Sequence, residues 1–411
     1  MKKIFSLSLV IAASLSCFAQ VKPGVEVLRE RNFEVLEGKR VGLLTNPTGV
    51  DNDLKSTVDI LSEAPNVNLT ALFAPEHGVR GDMYAGDKVN DTIDAKTGVK
   101  VHSIFGKTRK PTDEMLEDID VMVYDIQDNG CRSFTFISSM ANAMDACAKL
   151  GKEFVVLDRP NPLGGEKVEG NLTEEDCISF VSQLPIPYLY GLTPGELANY
   201  INEAGLLESG KKVNLTVVPM EGWTRDMKFE DTGMPWVLPS PHIPSAEIAV
   251  YYPASGILGE LYYINIGIGY TLPFKTFAAP WIDRPEEFAQ RMNALNIPGV
   301  KFRPIHYKPF YSTSKDENIA GVEFYITDFE QAPLSMVQFY AMQELADMYP
   351  DHLAMNLEGE KAKRYDMFNK VVGSKKIKEL FAQRNRVEDI EEYWNKDAEK
   401  FKEDTRPYRM Y

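Results

Sequence analysis

The 411-residue chain is poor in cysteine (four), histidine (five) and tryptophan (four). Four cysteines over this length exclude a disulfide scaffold, and no C-x-x-C or Cys/His spacing marks a zinc site. Beyond the N-terminus no run stays apolar for the ~18 residues of a membrane-spanning helix. There is no basic block. Lysine and arginine total 45 against 60 acidic residues, for a formal charge of −15. That balance argues against nucleic acid and anionic lipid as partners. The absence of G-x-G-x-x-G and of G-x-x-x-x-G-K-[ST] makes a dinucleotide or nucleoside triphosphate cofactor a poor expectation. The absence of G-x-S-x-G does the same for a hydrolase serine. What is present, 44% hydrophobic and 26% charged residues, is ordinary for a globular chain of about two domains.

Residues 1–19 have the form of a signal peptide: Lys2 and Lys3, a short apolar run from Ile4 to Leu15, then small residues at Cys17 and Ala19. Cleavage after Ala19 is expected, with lipid attachment at Cys17 in Ser14-Leu15-Ser16-Cys17 as the alternative. Loss of the two lysines takes the charge from −15 to −17. The expected compartment is the periplasm.

From residue 40 to 160 short β-rich runs recur: Arg40–Thr45, Val67–Phe73, Val99–Phe105, Asp120–Asp125 and Glu153–Leu157. Helical spacing appears between them at Ser56–Ala64, Thr112–Glu117 and Phe136–Leu150. Strands alternating with helices indicate an α/β fold with a parallel sheet covered on both faces. A second region is expected from about Pro185, giving domains at 20–185 and 186–411. It opens on Thr193-Pro194-Gly195-Glu196, a capping box with proline at the first helical position. Five prolines between 231 and 256 point to a stiffened loop, and residues 334–401 to charged helices.

In a parallel α/β sheet, ligands bind beyond the carboxyl ends of the strands. Four such ends are polar. They carry Asn46, then Glu76-His77-Gly78-Val79-Arg80-Gly81-Asp82, then Asp125-Ile126-Gln127-Asp128 with Arg132, then Asp158-Arg159-Pro160-Asn161. Glu76, wedged between a proline and a tight glycine turn, is held in one direction. Asp125 and Asp158 also suit helix caps or buried acceptors, and Asn46 a turn. Carboxylates among arginines, without metal spacing or a nucleophilic serine, fit acid/base chemistry on a polar substrate. Glycoside hydrolysis leads, because one carboxyl must protonate the leaving oxygen, usually with a second carboxylate opposite or, in one exception, with the substrate's own acetamido group attacking. Asp125 or Asp128 is the expected second carboxylate. His77 would orient Glu76 or touch substrate, and Trp236, Tyr251 and Tyr252 could stack on a sugar. His102, His306 and His352 carry no argument.

Several motifs jointly resemble the exo-β-N-acetylmuramidases of NamZ type, once a family of unknown function. They are F-A-P-E-H-G-V-R-G, D-I-Q-D-x-G-x-R, D-R-P-N-P-L-G-G followed by Val168-Glu169-Gly170, L-P-I-P-Y-x-Y-G-L-T-P-G-E-L-A, and G-W-x-R-x-M. Pro235-Trp236-Val237-x-Pro239-Ser240-Pro241, Ala279-Pro280-Trp281 and Arg406-Pro407-Tyr408 extend the likeness over the whole mature chain. The resemblance implies a Rossmann-like N-terminal domain, a smaller α/β (α+β) C-terminal domain and an active site in the cleft between them. It implies Glu76 as the catalytic glutamate, no cofactor, and release of N-acetylmuramic acid from non-reducing ends of peptidoglycan fragments. Where such proteins commonly have G-R-G-T-T-R-P-F, this chain has Ile268 and Leu272 in the arginine positions. Glu260 keeps the acid of the preceding stretch, while Ser133 replaces an aromatic.

Glu76 is thus the expected acid/base, with Asn46, His77, Arg80, Gln127, Arg132, Asp158, Arg159, Asn161, Glu169, Trp236 and Glu260 as substrate contacts. The lactyl carboxylate of the sugar needs a cation, and at least one of Arg80, Arg132 and Arg159 is expected to supply it. A non-catalytic glycan-binding protein on the same fold is the alternative.

Overall fold

A computed structural model describes residues 20–81 and 91–411. The leader with Cys17, and Asp82, lie outside the described residues. Seven strands form the first sheet: β1 (Arg40–Thr45), β2 (Asn68–Ala74), β3 (Thr92–Ile93), β4 (Lys100–Ser103), β5 (Val121–Asp125), β6 (Glu153–Leu157) and β7 (Asn214–Val218). Their order is β3-β4-β2-β1-β5-β6-β7, parallel throughout except for the β3–β4 edge. The central strands are buried on both faces, which is why they read as unbroken apolar runs rather than alternating ones. Helices α1 (Gly24–Glu30) and α2 (Thr57–Glu63) share one apolar layer with Val41, Leu43 and Val123. Helices α3 (Phe136–Leu150) and α4 (Pro194–Glu203) share the opposite layer with Leu44, Met122 and Tyr124.

Two expectations are corrected. The sheet does not end near Pro185. Its last strand, β7, pairs with β6 from Glu153↔Asn214 to Leu157↔Val218, so the first unit runs well past the expected boundary. The proline-rich stretch is also not loop throughout. Helix α5 (Ala246–Gly259) occupies its second half and holds Pro253 in its interior. Proline there forfeits one helical hydrogen bond, but Ile248, Ala249, Tyr251, Ala254, Ile257 and Leu258 are all buried, and that packing outweighs propensity. Thr112–Glu117 shortens to a single 3-10 turn at Glu114–Leu116.

The C-terminal unit is smaller. An antiparallel sheet of β8 (Thr276–Ala279), β9 (Val300–Tyr307) and β10 (Ile319–Ile326), in the order β8-β10-β9, packs with α5, α6 (Pro285–Ala294) and α7 (Val337–Met348). The chain then returns to the first unit. Phe401 joins the α3/α4 layer, and the Tyr411 hydroxyl donates to Asp158 at 2.8 Å.

Candidate active site

The parallel sheet and α5 enclose a cavity of about 240 Å³. Glu76, His77, the Ser133–Phe136 segment and Val181 line it from the first unit. Ser240, His242, Ile243, Tyr252, Glu260 and Phe274 line it from the other side. It therefore sits beyond the carboxyl end of β2 and at the start of α3, as an α/β sheet predicts.

Glu76 stands on the turn after β2, closed by the Gly78 amide donating to the Pro75 carbonyl at 3.1 Å. His77 takes φ +73°, a left-handed conformation that costs a side-chain-bearing residue on the order of 1–3 kcal/mol. The strained turn fixes the direction of the half-buried Glu76. Thr135, just before α3, does not cap its helix. Its hydroxyl donates to Glu76 Oε2 at 3.3 Å.

Glu260 follows α5 and is held from behind. Arg364 Nη2 donates to its Oε2 at 3.0 Å and Arg364 Nε to its carbonyl at 2.7 Å. About a third of the Glu260 side chain stays open (36%), yet burial raises its carboxyl above the usual range, and Arg364 only partly offsets this. Tyr252 lines the same cavity, its hydroxyl 3.0 Å from Ser133 Oγ. Its ring meets Phe134 and Phe274 edge-on. Burial pushes the Tyr252 hydroxyl upward, and Glu260 and Glu76 both add to the shift. His242 is pushed down by burial and then by nearby His77, which favours neutral imidazole.

Of the residues singled out in the sequence, Glu76, His77 and Glu260 line this cavity, with Ser133 and Tyr252 beside them. The others are engaged elsewhere. Asp125 forms a fully buried ion pair with Arg159, whose Nη2 donates at 2.9 Å, and also accepts from Thr57. Both Asp125 oxygens are thus occupied away from Glu76. Asp128 accepts from Tyr190 and from the Gly130 amide (2.8 Å). Burial raises it to about 6, and its Oδ1 has no hydrogen-bond partner among the described residues. Neither aspartate lines the cavity.

The arginine expectation is corrected on the same ground. Arg80 grips Asp94 through Nε (2.9 Å) and Nη2 (3.0 Å) and also reaches Asp59. Arg132, 1% exposed, donates to the carbonyls of Asn171, Ile186, Val371 and Val372 and to Ser182. It joins the two units rather than facing a ligand.

Asp158 accepts from the amides of Arg159 and Gly195 and the hydroxyls of Thr193 and Tyr411. Burial still raises it to about 7. Asn46 shapes its own turn through the Thr48 amide (2.9 Å). Asn161 bridges the Leu163 amide and the Leu192 carbonyl, and Gln127 donates to the carbonyls of Asp128 and Pro160. Glu169 caps the turn at Leu334 and Ser335. Trp236 packs edge-on against Phe229 at 4.7 Å and donates to the Ile243 carbonyl.

Thr135 and His242 line the cavity without having stood out in the sequence, and Ser240, seen there only as part of a motif, lines it too. His242 was legible only as part of a proline-rich run, Ser240-Pro241-His242-Ile243-Pro244. Among the described residues no group of three His, Cys, Asp or Glu side chains converges as a metal would require, and no helix is long and apolar enough to cross a membrane.

The fold agrees with comparisons to known proteins. A solved structure of a DUF1343 family protein from Bacteroides fragilis superposes with a TM-score of 0.91 at 56% identity, covering 95% of this chain and 99% of that one. A second from the same organism gives 0.73 at 27% identity, covering 96% and 99%. The peptidoglycan β-N-acetylmuramidase NamZ of Bacillus subtilis is 41% identical over 392 residues, 95% of this chain and 92% of that protein. Family models for exo-β-N-acetylmuramidase NamZ match residues 41–247 with the N-terminal part and 250–411 with the C-terminal part, dividing the chain where α5 begins. The chain belongs to the exo-β-N-acetylmuramidase NamZ family.

Proposed function

We propose that this protein is a glycoside hydrolase that releases N-acetylmuramic acid from the non-reducing ends of peptidoglycan fragments. The observation that carries the reading is the pair of glutamates, Glu76 and Glu260, on one cavity between the two units. Glycosidic cleavage needs a carboxyl to protonate the leaving oxygen and a second group to manage the positive charge that grows on the sugar ring. Glu76 is the proton donor and acceptor. Glu260, anchored by Arg364, is the second carboxylate and takes the place expected of Asp125 or Asp128. Tyr252 and Ser133, on the same cavity, are hydrogen-bonding partners for the sugar. The family match and the 41% identical Bacillus enzyme support the same substrate class.

The test is turnover of a chromogenic β-N-acetylmuraminide beside the matching glucosaminide. The parent should hydrolyse the muraminide. Glu76→Gln should lose at least ~100-fold in kcat, the scale of general acid/base catalysis, while still binding the sugar. A parent that binds without turning over would instead be a glycan-binding protein. The leader at 1–19 supports export to the periplasm, where that substrate lies. Mass spectrometry of the mature N-terminus should find Gln20 first, and a lipidated Cys17 would contradict this.

A further inference from the structure

The muramic sugar differs from glucosamine by a lactyl ether that ends in a carboxylate. On a chain with formal charge −15 that anion needs a local cation. Arg80, Arg132 and Arg159 are each held by other groups, and Arg364 is held by Glu260. One more arginine lies within electrostatic reach of Glu76. Arg109 lies on the segment after β4, with its Cζ 3.6 Å from the centroid of the Phe105 ring and 4.7 Å from that of Phe180. Phe180 precedes Val181, which lines the cavity. The Arg109 carbonyl accepts from Asn142 Nδ2 at 2.8 Å, on the helix whose first residues line the same cavity. Among the described residues the Arg109 guanidinium has no hydrogen bond or ion pair, and the Glu76 carboxylate acts on it electrostatically.

We propose that Arg109 receives the lactyl carboxylate of the substrate and so selects muramic over glucosamine glycosides. Contact with both rings restrains the guanidinium, so less freedom is lost when a carboxylate docks on the fork. The lactyl ether sits on C3 and the scissile bond on C1 of the same sugar ring. The cation that receives one must therefore lie near the acid that protonates the oxygen at the other, and Arg109, stacked on the ring next to cavity-lining Val181 and within electrostatic reach of Glu76, is placed for that. Arg109 is a specificity-determining contact rather than a group that moves protons. The inference rests on the muramidase reading of the cavity.

The experiment compares Arg109→Met and Arg109→Lys with the parent. Arg109→Met keeps an apolar stem against the rings, and an unchanged melting temperature would show that it is folded. Its kcat/KM on the muraminide should fall roughly 10- to 100-fold, the scale of a charge-assisted bidentate contact. The rate on the glucosaminide should stay near the parent's. Arg109→Lys should recover part of the loss. Calorimetric titration of free N-acetylmuramic acid and N-acetylglucosamine gives the same comparison without catalysis. A parent that binds muramic acid but turns nothing over sinks the hydrolase reading and leaves Arg109 tested by binding. Equal losses on both sugars, no loss on either, or a parent that does not prefer muramic acid would overturn the assignment.

Discussion

At Arg132 a positive charge is buried without a counter-charge. Four carbonyls and a hydroxyl from residues 171–372 satisfy its donors, and burial lowers its pKa to about 10. Arg132→Ala would leave those carbonyls unpaired. It should cost at least about 3 kcal/mol of stability, read from the urea midpoint. Any activity lost should return when the variant is assayed below its melting range. A variant that folds as well as the parent yet fails to bind sugar would contradict this structural role. The sequence shows that Arg132 follows a strand tip, but not that its side chain turns back toward residues 171–372. Glu76 was legible because its constraints are local: a proline before it and a glycine turn after it. Arg109 was not, because its meaning comes from Phe180 and Glu76, both distant in the chain.

Element by element, the parallel strands β1, β2, β4, β5 and β6 were legible, because burial writes an apolar run into each, whereas the exposed two-residue edge strand β3 was not. The strand β7 was not. Its Asn214–Val218 run is only partly buried and follows the helix that seemed to open a new domain. Helix α5 was hidden by proline counting, although the apolar residues around Pro253 are what place Tyr252 and Glu260 on the cavity. Elements from the two units are also pinned together by single side chains. Glu169 accepts from the Leu334 and Ser335 amides and the Ser335 hydroxyl at the turn leading into α7, and Trp394 Nε1 donates to the same hydroxyl. Glu169→Ala removes that cap and should cost about 1–3 kcal/mol by urea unfolding. Turnover of folded enzyme should barely change. A selective loss of sugar binding at full stability would instead restore Glu169 to the substrate contacts.

Across the whole molecule, two units close on one polar cavity, and buried acids make its stability depend on pH. Asp128 is raised to about 6 and Asp158 to about 7, both by burial. An unfolded aspartate titrates near ~3.9. Between that value and 6 or 7 the folded protein holds protons that the unfolded chain has lost. This contribution is complete below ~4 and disappears as pH rises through 6 and 7, at up to ~1.4 kcal/mol per pH unit for each group. Asp94, held down to about 2 chiefly by Arg80, has the opposite sign and loses stability only as pH falls below ~4. The urea midpoint should therefore fall from pH 5 to pH 7.5, and Asp128→Asn should flatten the lower part of that slope. A midpoint that rises over this range would contradict it. The central claim is that the acid pair is Glu76 with Glu260, not Glu76 with an aspartate of the β5 tip. The most direct measurement is kcat of Glu260→Gln and Asp128→Asn on the chromogenic β-N-acetylmuraminide. The account predicts a loss of at least ~100-fold for Glu260→Gln and a rate close to the parent's for Asp128→Asn. The reverse order, in two variants that are both folded, would contradict it.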